Sequence, residues 1–178
     1  AYIETARGCP YRCAFCLSGR CSPLRFFDLN QVKSDIIKLA SSGTKTIKFV
    51  DRTFNANEKR ANEILLFIKE NYGKEIPANV CFHFEIAGDI LKESTLEILS
   101  SLPYGAVQLE IGMQSFNENV LKTINRKTNT KKLIENIKKA RIPAIAVLNK
   151  KDTIKKEEDA VEQCEKIRGL GVFDDVMV

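Results

Sequence analysis

Short strand-like runs that alternate with helix-like segments limit this chain to a small set of folds. Six runs rich in β-branched and aromatic residues, each bounded by polar or turn-forming residues, predict β-strands. They are AYIETA at 1–6, TKTIKFV at 44–50, NVCFHFEIA at 79–87, GAVQLEIGM at 105–113, IPAIAVLN at 142–149 and VFDDVMV at 172–178. Between them, apolar residues recur at the spacing of a helix face, which predicts α-helices.

The predicted helices are defined by their apolar positions and, in the first case, by a start signal. Asp28 and Gln31 resemble a capping box that opens the first helix, and Gly43 is expected to stop it. The apolar faces consist of Val32, Ile36, Leu39 and Ala40, then Ala61, Ile64, Leu65 and Ile68, then Leu96 and Leu99, and then Leu133, Ile137 and Ala140. A last helix is predicted over 157–168.

Regular alternation of strands and helices predicts an α/β fold with parallel strands and right-handed crossovers, either a sheet or a barrel. Its functional residues are expected at the carboxyl ends of the strands. We interpret the six units as a partial TIM-like (βα)6 barrel. The 178 residues, 44% of them hydrophobic, suffice for one substantial core. A predicted strand at each end suggests a piece that is truncated at one or both ends.

The composition of the chain argues against a membrane, secreted or nucleic-acid-binding protein. No run of eighteen apolar residues occurs and no signal peptide is recognisable, so we expect a cytoplasmic protein without a membrane span. The net charge is +5, with basic residues concentrated between Lys122 and Lys156. Because no aromatic residues interleave these lysines, the pattern favours a solvated helical face over a nucleic-acid or phosphate site.

Cys9, Cys13 and Cys16 lie within eight residues, directly after the first predicted strand. Thiols in a cytosolic protein stay reduced, so the spacing favours one metal centre over disulfides. A structural zinc would need a fourth ligand, for which Cys21 and His83 are candidates. Soft thiolates equally favour an iron–sulfur cluster, and three ligands would leave one iron open.

The cysteine loop resembles the C-x3-C-x-aromatic-C signature of the radical S-adenosylmethionine (SAM) superfamily. The resemblance implies that Cys9, Cys13 and Cys16 hold a [4Fe-4S] cluster whose fourth iron chelates the amino and carboxylate groups of SAM. It places Phe15 against the adenine. It also implies reductive cleavage of SAM to a 5'-deoxyadenosyl radical that abstracts hydrogen from an unknown substrate, with an electron donor such as flavodoxin or ferredoxin.

Later strand ends extend the same resemblance. Asp51, in FVDRTFN, matches a D-x-x-F turn found in radical SAM proteins with a cobalamin-binding partner domain, where the aspartate would bind the SAM amino group. The alternative is a turn or helix-capping aspartate. Glu85 ends the third strand. EIGMQSF is similar to the fourth-strand motif, in which Glu110, Gln114 and Ser115 would lie near the SAM ribose and methionine carboxylate.

The resemblance is closest to the cobalamin-binding class over residues 1–130, including RFFDLNQVKSDI. This chain contains no cobalamin domain of its own, so cobalamin would be used only through a domain outside it. The substrate is expected to be a small molecule or another compound that the sequence does not identify.

Residues 141–178 depart from the family pattern. IPAIAVLNKKD resembles the N-K-x-D guanine-binding element of GTPases through Asn149, Lys150 and Asp152, but the chain has no G-x4-G-K-[ST] phosphate loop.

We divide the chain into a radical SAM core at 1–140 and a segment at 141–178. The segment is either the last βα unit and strand of the same domain or of foreign origin. A GTP-binding scaffold and a non-catalytic iron–sulfur or zinc module are the alternative functions.

The sequence allows either a structural or a functional role for the histidine and the remaining cysteines. On strand alternation, His83 shares a face with Cys81 and Glu85, where it would contact substrate or belong to the core. Cys81 and Cys164 fit ordinary buried thiols on a strand and a helix. Cys21 is interpreted as a spectator rather than a ligand.

Overall fold

A computed structural model describes residues 1–20, 23–149 and 157–178 of the chain. The strands are β1 (Tyr2–Ile3), β2 (Ala6–Arg7), β3 (Arg25–Phe26), β4 (Thr46–Phe49), β5 (Cys81–Ile86), β6 (Val107–Ile111), β7 (Ile145–Val147) and β8 (Asp175–Met177). The helices are α1 (Leu29–Ala40), α2 (Glu58–Asn71), α3 (Glu93–Ser100), α4 (Glu118–Thr123), α5 (Thr130–Ala140) and α6 (Glu157–Arg168). Each of the six predicted strand regions contains a strand, and the five predicted helices form.

The main sheet is parallel and has the strand order β1-β4-β5-β6. A parallel pair β7-β8 and an antiparallel pair β2-β3 are separate from it. Helices α1, α2 and α3 follow β1, β4 and β5 in the chain, so the connections between neighbouring strands are crossovers. The predicted α/β class with a parallel sheet is confirmed.

The first predicted strand differs from the expectation, because AYIETA divides between β1 and β2. Thr5 lies at the division, and its backbone N–H donates to a carboxylate oxygen of Asp51 at 2.6 Å. The Asp51 side chain thus accepts from the backbone N–H that a neighbouring strand would otherwise bind if the sheet continued past β1. The chain therefore leaves the main sheet and forms the β2-β3 hairpin, whose two strands are connected by the cysteine loop.

One face of the main sheet forms the hydrophobic core. Along β5, side chains alternate between buried and half-buried positions, and the buried set faces the helices. Four aromatic rings pack at its centre with centroid separations between 4.2 and 6.4 Å: Phe49, Phe54, Phe82 and Phe84. The opposite face carries Lys48, His83 and Glu85, so the sheet separates an apolar core from a polar side.

Polar caps set the helix starts. Asp28 accepts a hydrogen bond from the Gln31 backbone N–H at 2.9 Å, as predicted, but the Gln31 side chain donates to Asp35. Only one half of the predicted capping box is thus seen. Helix α4, which the pattern did not predict, has six residues with Leu121 as its buried side chain, too few for a recognisable apolar stripe.

Residues after 140 build a second, smaller core. Arg141 adopts a left-handed conformation with φ of 52° at the end of α5, and β7, α6 and β8 follow. The core cluster of this unit consists of Cys164, Ile167 and Val176. Within the described ranges, no helix is both long and apolar enough to span a membrane.

Candidate functional site

A cavity of about 210 Å³ opens at the carboxyl ends of β4, β5 and β6, beside the loop that follows β2. Seven of the nine site residues predicted from the sequence line it: Cys9, Cys13, Phe15, Cys16, Glu85, Glu110 and Gln114. Asp51 and Ser115 lie outside the lining. Parallel strands therefore bring together residues that are up to about one hundred positions apart, at the sheet edge where α/β proteins place their sites.

A glycine makes the entry into the cysteine loop possible. Gly8 has a φ of +99°, which a residue with a side chain rarely adopts. A Cβ atom at this position would also lie 3.1 Å from the carbonyl oxygen of Pro23. Further along, the backbone N–H of Cys16 donates to the carbonyl of Cys13 at 3.1 Å, so the last two cysteines share a tight turn. Cys13 is buried, while Cys9 and Cys16 are half-buried.

Residues from the end of α4 hold the loop in place. The backbone N–H of Ala14 donates to the carbonyl of Ile124 at 2.9 Å. Asn125, in a left-handed conformation, donates from its side-chain amide to the carbonyl of Arg12 at 2.7 Å. These bonds fix the backbone on both sides of Cys13.

Arg126 is a site residue that the sequence analysis missed. Its guanidinium donates to Cys13 Sγ at 3.8 Å and to the carbonyl of Gly112 at 3.0 Å, and it lies 5.1 Å from the centre of the Tyr11 ring. Its Nε donates to Thr128 Oγ1 at 2.9 Å. In the sequence Arg126 is one basic residue among several, so its role becomes visible only once the fold brings the loop to it.

The donor set fits an iron–sulfur cluster. Three thiols line one cavity, and Cys9 Sγ lies 3.6 Å from the hydroxyl of Thr53. Among the described side chains, no three Cys, His, Asp or Glu groups converge on a point suited to a single metal ion. A [4Fe-4S] cluster does not require such a point, since its thiolates bind different iron atoms. Of the fourth-ligand candidates for zinc, His83 is outside the lining and Cys21 lies outside the described residues.

Asp51 faces the strand junction rather than the cavity. It is 2% exposed, and its two carboxylate oxygens accept hydrogen bonds from the backbone and the hydroxyl of Thr5. Burial raises the pKa of Asp51, and the bonds from Thr5 oppose that rise. This placement matches the turn-aspartate alternative, and contact between Asp51 and SAM stays a prediction.

The same segment after β4 contains a second buried polar residue, Asn55. Its amide group donates to the carbonyl of Ala87 at 2.8 Å and accepts from the Ala87 backbone N–H at 2.9 Å. Ala87 lines the cavity at the end of β5. Asn55 therefore fixes the position of one cavity wall.

Glu85 and Glu110 occupy paired positions on β5 and β6. Lys48 Nζ lies 3.4 Å from a carboxylate oxygen of each glutamate. Burial acts to lower the pKa of Lys48, but the two carboxylates outweigh it and the pKa is raised. The two carboxylates thus belong to the polar wall of the cavity, and the Lys48 ammonium contacts them from outside the lining. His83 Nε2 lies 3.4 Å from Glu110, and the side chain of His83 is 12% exposed.

Gln114 lies over a glycine at the end of β6. It has a φ of 65°, and a Cβ atom at Gly112 would lie 2.5 Å from Gln114 Nε2. Ser115 instead accepts a hydrogen bond from the backbone N–H of Asn117 at 3.0 Å. The structure therefore brings Gln114 to the cavity and places Ser115 in the turn that leads to α4.

Cys81, Cys164 and Asn149, which the sequence also singled out, are not among the residues that line the cavity. Cys164 is buried in the small core of α6, as expected, and Cys81 is half-buried on β5. Of the GTPase-like element, Asn149 is described, whereas Lys150 and Asp152 lie outside the described residues.

Comparison with known proteins gives a family match over most of the chain. Residues 3–154 match the model of the Radical SAM superfamily. Ribosomal protein uS12 methylthiotransferase RimO of Clostridium acetobutylicum is 22% identical over 157 residues. That alignment covers 83% of this chain and 34% of RimO.

Solved structures share the fold. The radical SAM methyltransferase TsrM of Kitasatospora setae, solved with cobalamin and a [4Fe-4S] cluster, matches with a TM-score of 0.72 and 16% identity over 99% of this chain and 36% of TsrM. SuiB of Streptococcus suis, bound to its precursor peptide SuiA, matches with a TM-score of 0.67 and 14% identity over 99% of this chain and 38% of SuiB. The chain thus spans 34% to 38% of the length of these three proteins.

Proposed function

The chain belongs to the radical SAM superfamily, and on this basis we propose that it binds a [4Fe-4S] cluster and SAM in the cavity at the carboxyl end of its sheet. The observation that carries the proposal is the convergence of Cys9, Cys13 and Cys16 on one cavity. The cluster would supply the electron for reductive cleavage of SAM. The protein holds both groups and limits access of water to them.

The lining residues provide complementary surfaces for SAM. The Phe15 ring is 59% exposed and offers a flat surface for the adenine. Glu85 and Glu110 can accept hydrogen bonds from the amino group and ribose hydroxyls, and Gln114 can both donate and accept. Asp51 and Ser115 support the site from outside the cavity, Asp51 by holding Thr5 and Ser115 by holding the turn before α4.

Partners are proposed at the level of chemical class. TsrM has been solved with a tryptophan substrate and SuiB with a peptide, so related radical SAM proteins act on small molecules and peptides. We propose a substrate from these classes and an electron donor such as flavodoxin or ferredoxin. Cobalamin would enter through a domain outside this chain, and the setting would be cytoplasmic.

The deciding experiment is anaerobic iron–sulfur reconstitution followed by electron paramagnetic resonance of the reduced protein with and without SAM. The wild-type chain is expected to bind about four iron atoms and to give a [4Fe-4S]+ signal that changes when SAM is added. Cys13→Ala should lose the cluster. Cys164→Ala removes a buried thiol from the small core of α6, so it is the matched control and should keep the cluster.

Two results would contradict the proposal. Zinc bound in place of iron would indicate a structural metal module. A cluster whose signal ignores SAM would indicate an iron–sulfur module without the proposed activity.

A further inference from the structure

A cation lies between the two glutamates of the cavity wall. Lys48 on β4, Glu85 on β5 and Glu110 on β6 project from the same face of three adjacent parallel strands. Glu85 and Glu110 are direct partners in the register, and Lys48 is paired with His83, two residues before Glu85. Lys48 and His83 therefore form one row of side chains across the sheet, and Glu85 and Glu110 form the next row on the same face. The ammonium group of Lys48 reaches from its own row to the two carboxylates.

Without that cation the two carboxylates would oppose each other. Like charges at directly paired positions on neighbouring strands destabilise a sheet. Lys48 Nζ is 3.4 Å from Glu85 Oε1 and 3.4 Å from Glu110 Oε2, so one ammonium serves both. The side chains of Lys48 and Glu85 are about one third exposed, which screens their interaction less than full exposure would.

His83 restrains the pair from the side. Its Nε2 lies 3.4 Å from the same Glu110 oxygen that Lys48 approaches. Glu85 has no such second contact among the described ion pairs, so it depends more on Lys48 than Glu110 does. Removing the lysine should consequently affect Glu85 first.

We infer that Lys48 is a positioning residue for the proposed SAM site, holding Glu85 and Glu110 side by side at the cavity wall. The inference rests on the proposed function, which gives these carboxylates to SAM. A carboxylate held in one position binds the ammonium and hydroxyl groups of a ligand more strongly than a mobile one, because less conformational freedom is lost on binding. Lys48 itself then acts through the glutamates, without touching SAM.

The charge coupling is tested first by thermal unfolding of the full chain without SAM. Lys48→Met should lower the Tm by about 2–4 °C, the shift expected from an interaction of modest strength in a chain of this size. Adding Glu85→Gln to Lys48→Met should recover most of that loss, because the repulsion is removed together with the cation. Additive losses in the double variant would overturn the inference.

The binding role is tested next by measuring the dissociation constant of SAM for the cluster-loaded chain. Lys48→Met should weaken binding about threefold to tenfold, the effect of weakening one charged hydrogen bond. Lys48→Arg should restore affinity to within about twofold, because it retains the positive charge. Lys139→Met is the matched control, since Lys139 on α5 pairs with Glu93 on α3 and neither residue lines the cavity, and it should bind SAM normally.

The outcomes separate the two proposals. Normal SAM affinity in Lys48→Met, or no rescue by Lys48→Arg, would overturn the positioning role. If the cluster-loaded wild-type chain does not bind SAM, the proposed function fails. The thermal cycle still decides in that case whether Lys48 couples the two glutamates.

Discussion

A single guanidinium group fastens the cysteine loop to the end of the main sheet. Arg126 bridges Cys13 Sγ and the carbonyl of Gly112, and its plane lies near the Tyr11 ring. The guanidinium carries its donors in a rigid planar fork, which holds several acceptors in fixed directions, whereas an ammonium is a point charge on a flexible stem. Arg126 therefore fixes the distance between the loop and β6.

We expect Arg126→Met to loosen the loop and to cost about 1–3 kcal/mol of unfolding free energy, because acceptors in a half-buried site lose a charged donor. Hydrogen exchange over residues 9–16 should accelerate in the variant. Arg126→Lys should fall between the variant and the wild type. Lys127→Met, a change of the exposed neighbouring residue, serves as the control, and equal exchange in both variants would contradict the anchoring role.

At this scale the sequence predicted which strand ends meet at one edge of the sheet better than it predicted side-chain directions. The rule that sites form at strand ends placed Glu85 and Glu110 correctly at the sheet edge. The same rule applied to Asp51, whose side chain instead turns to Thr5. Local pattern does not reveal which way a side chain points after a strand ends. It also could not find Arg126, because the contact with Cys13 crosses 113 residues of sequence.

At the scale of elements, the segment between β4 and α2 works as a brace. Asn55 reaches from this segment to both backbone polar groups of Ala87 at the end of β5. Both partners are buried, so the bonds hold two neighbouring strand ends at a fixed separation.

Asn55→Ala should destabilise the chain by about 2–4 kcal/mol, because it leaves the N–H and the carbonyl of Ala87 buried without partners. Urea denaturation would measure this loss. Asn119→Ala, at an exposed position on α4, should change the unfolding free energy by less than about 0.5 kcal/mol. A loss at Asn55 no larger than at Asn119 would rule out the brace.

The helices and strands that the sequence predicted have a clear periodicity of apolar residues or a composition typical of strands. Helices α1, α2 and α5 bury apolar stripes, and the strands of the main sheet carry β-branched and aromatic residues. The β2-β3 hairpin and α4 were missed. The hairpin strands have two residues each and α4 has six. Segments this short do not show a recognisable repeat of apolar residues.

At the scale of the whole molecule, the chain contains two cores of unequal size. The described part of the main core has twenty buried residues, and the core around α6 has three. We propose that 1–140 form the radical SAM core and that 141–178 are the last βα unit and strand of the same domain. The parallel pairing of β7 with β8 around α6 supports this division.

Native-state hydrogen exchange should show the difference between the two cores. The free energy required for local opening increases with the amount of buried apolar contact. Amides of β4 and β5 should therefore exchange at least about tenfold more slowly than those of β7 and β8. Mass spectrometry of peptides covering these strands would measure the ratio. Equal protection would mean that 141–178 open together with the main core.

The α/β class followed from the alternation of strands and helices, which dictates parallel strands wherever a helix returns the chain. The grouping of the strands was not predictable in the same way. Whether β7 joins β8 or β6 depends on hydrogen bonds between distant segments, such as those between Ala144 and Asp174 beside β7 and β8. The cysteine motif predicted a site at this edge of the sheet because a metal centre demands particular residue types at close spacing, and the three cysteines line one cavity there.

The long reach of the loop anchors has a consequence for biosynthesis. Asn125 and Arg126 each contact the cysteine loop across 113 residues of sequence. A ribosome that adds about 5–20 residues per second makes these anchors about 6–23 s after the thiols have been made. The loop that carries the three cysteines thus lacks these anchors until 113 further residues have been made. We therefore expect the proposed cluster to enter an ordered loop only after that point.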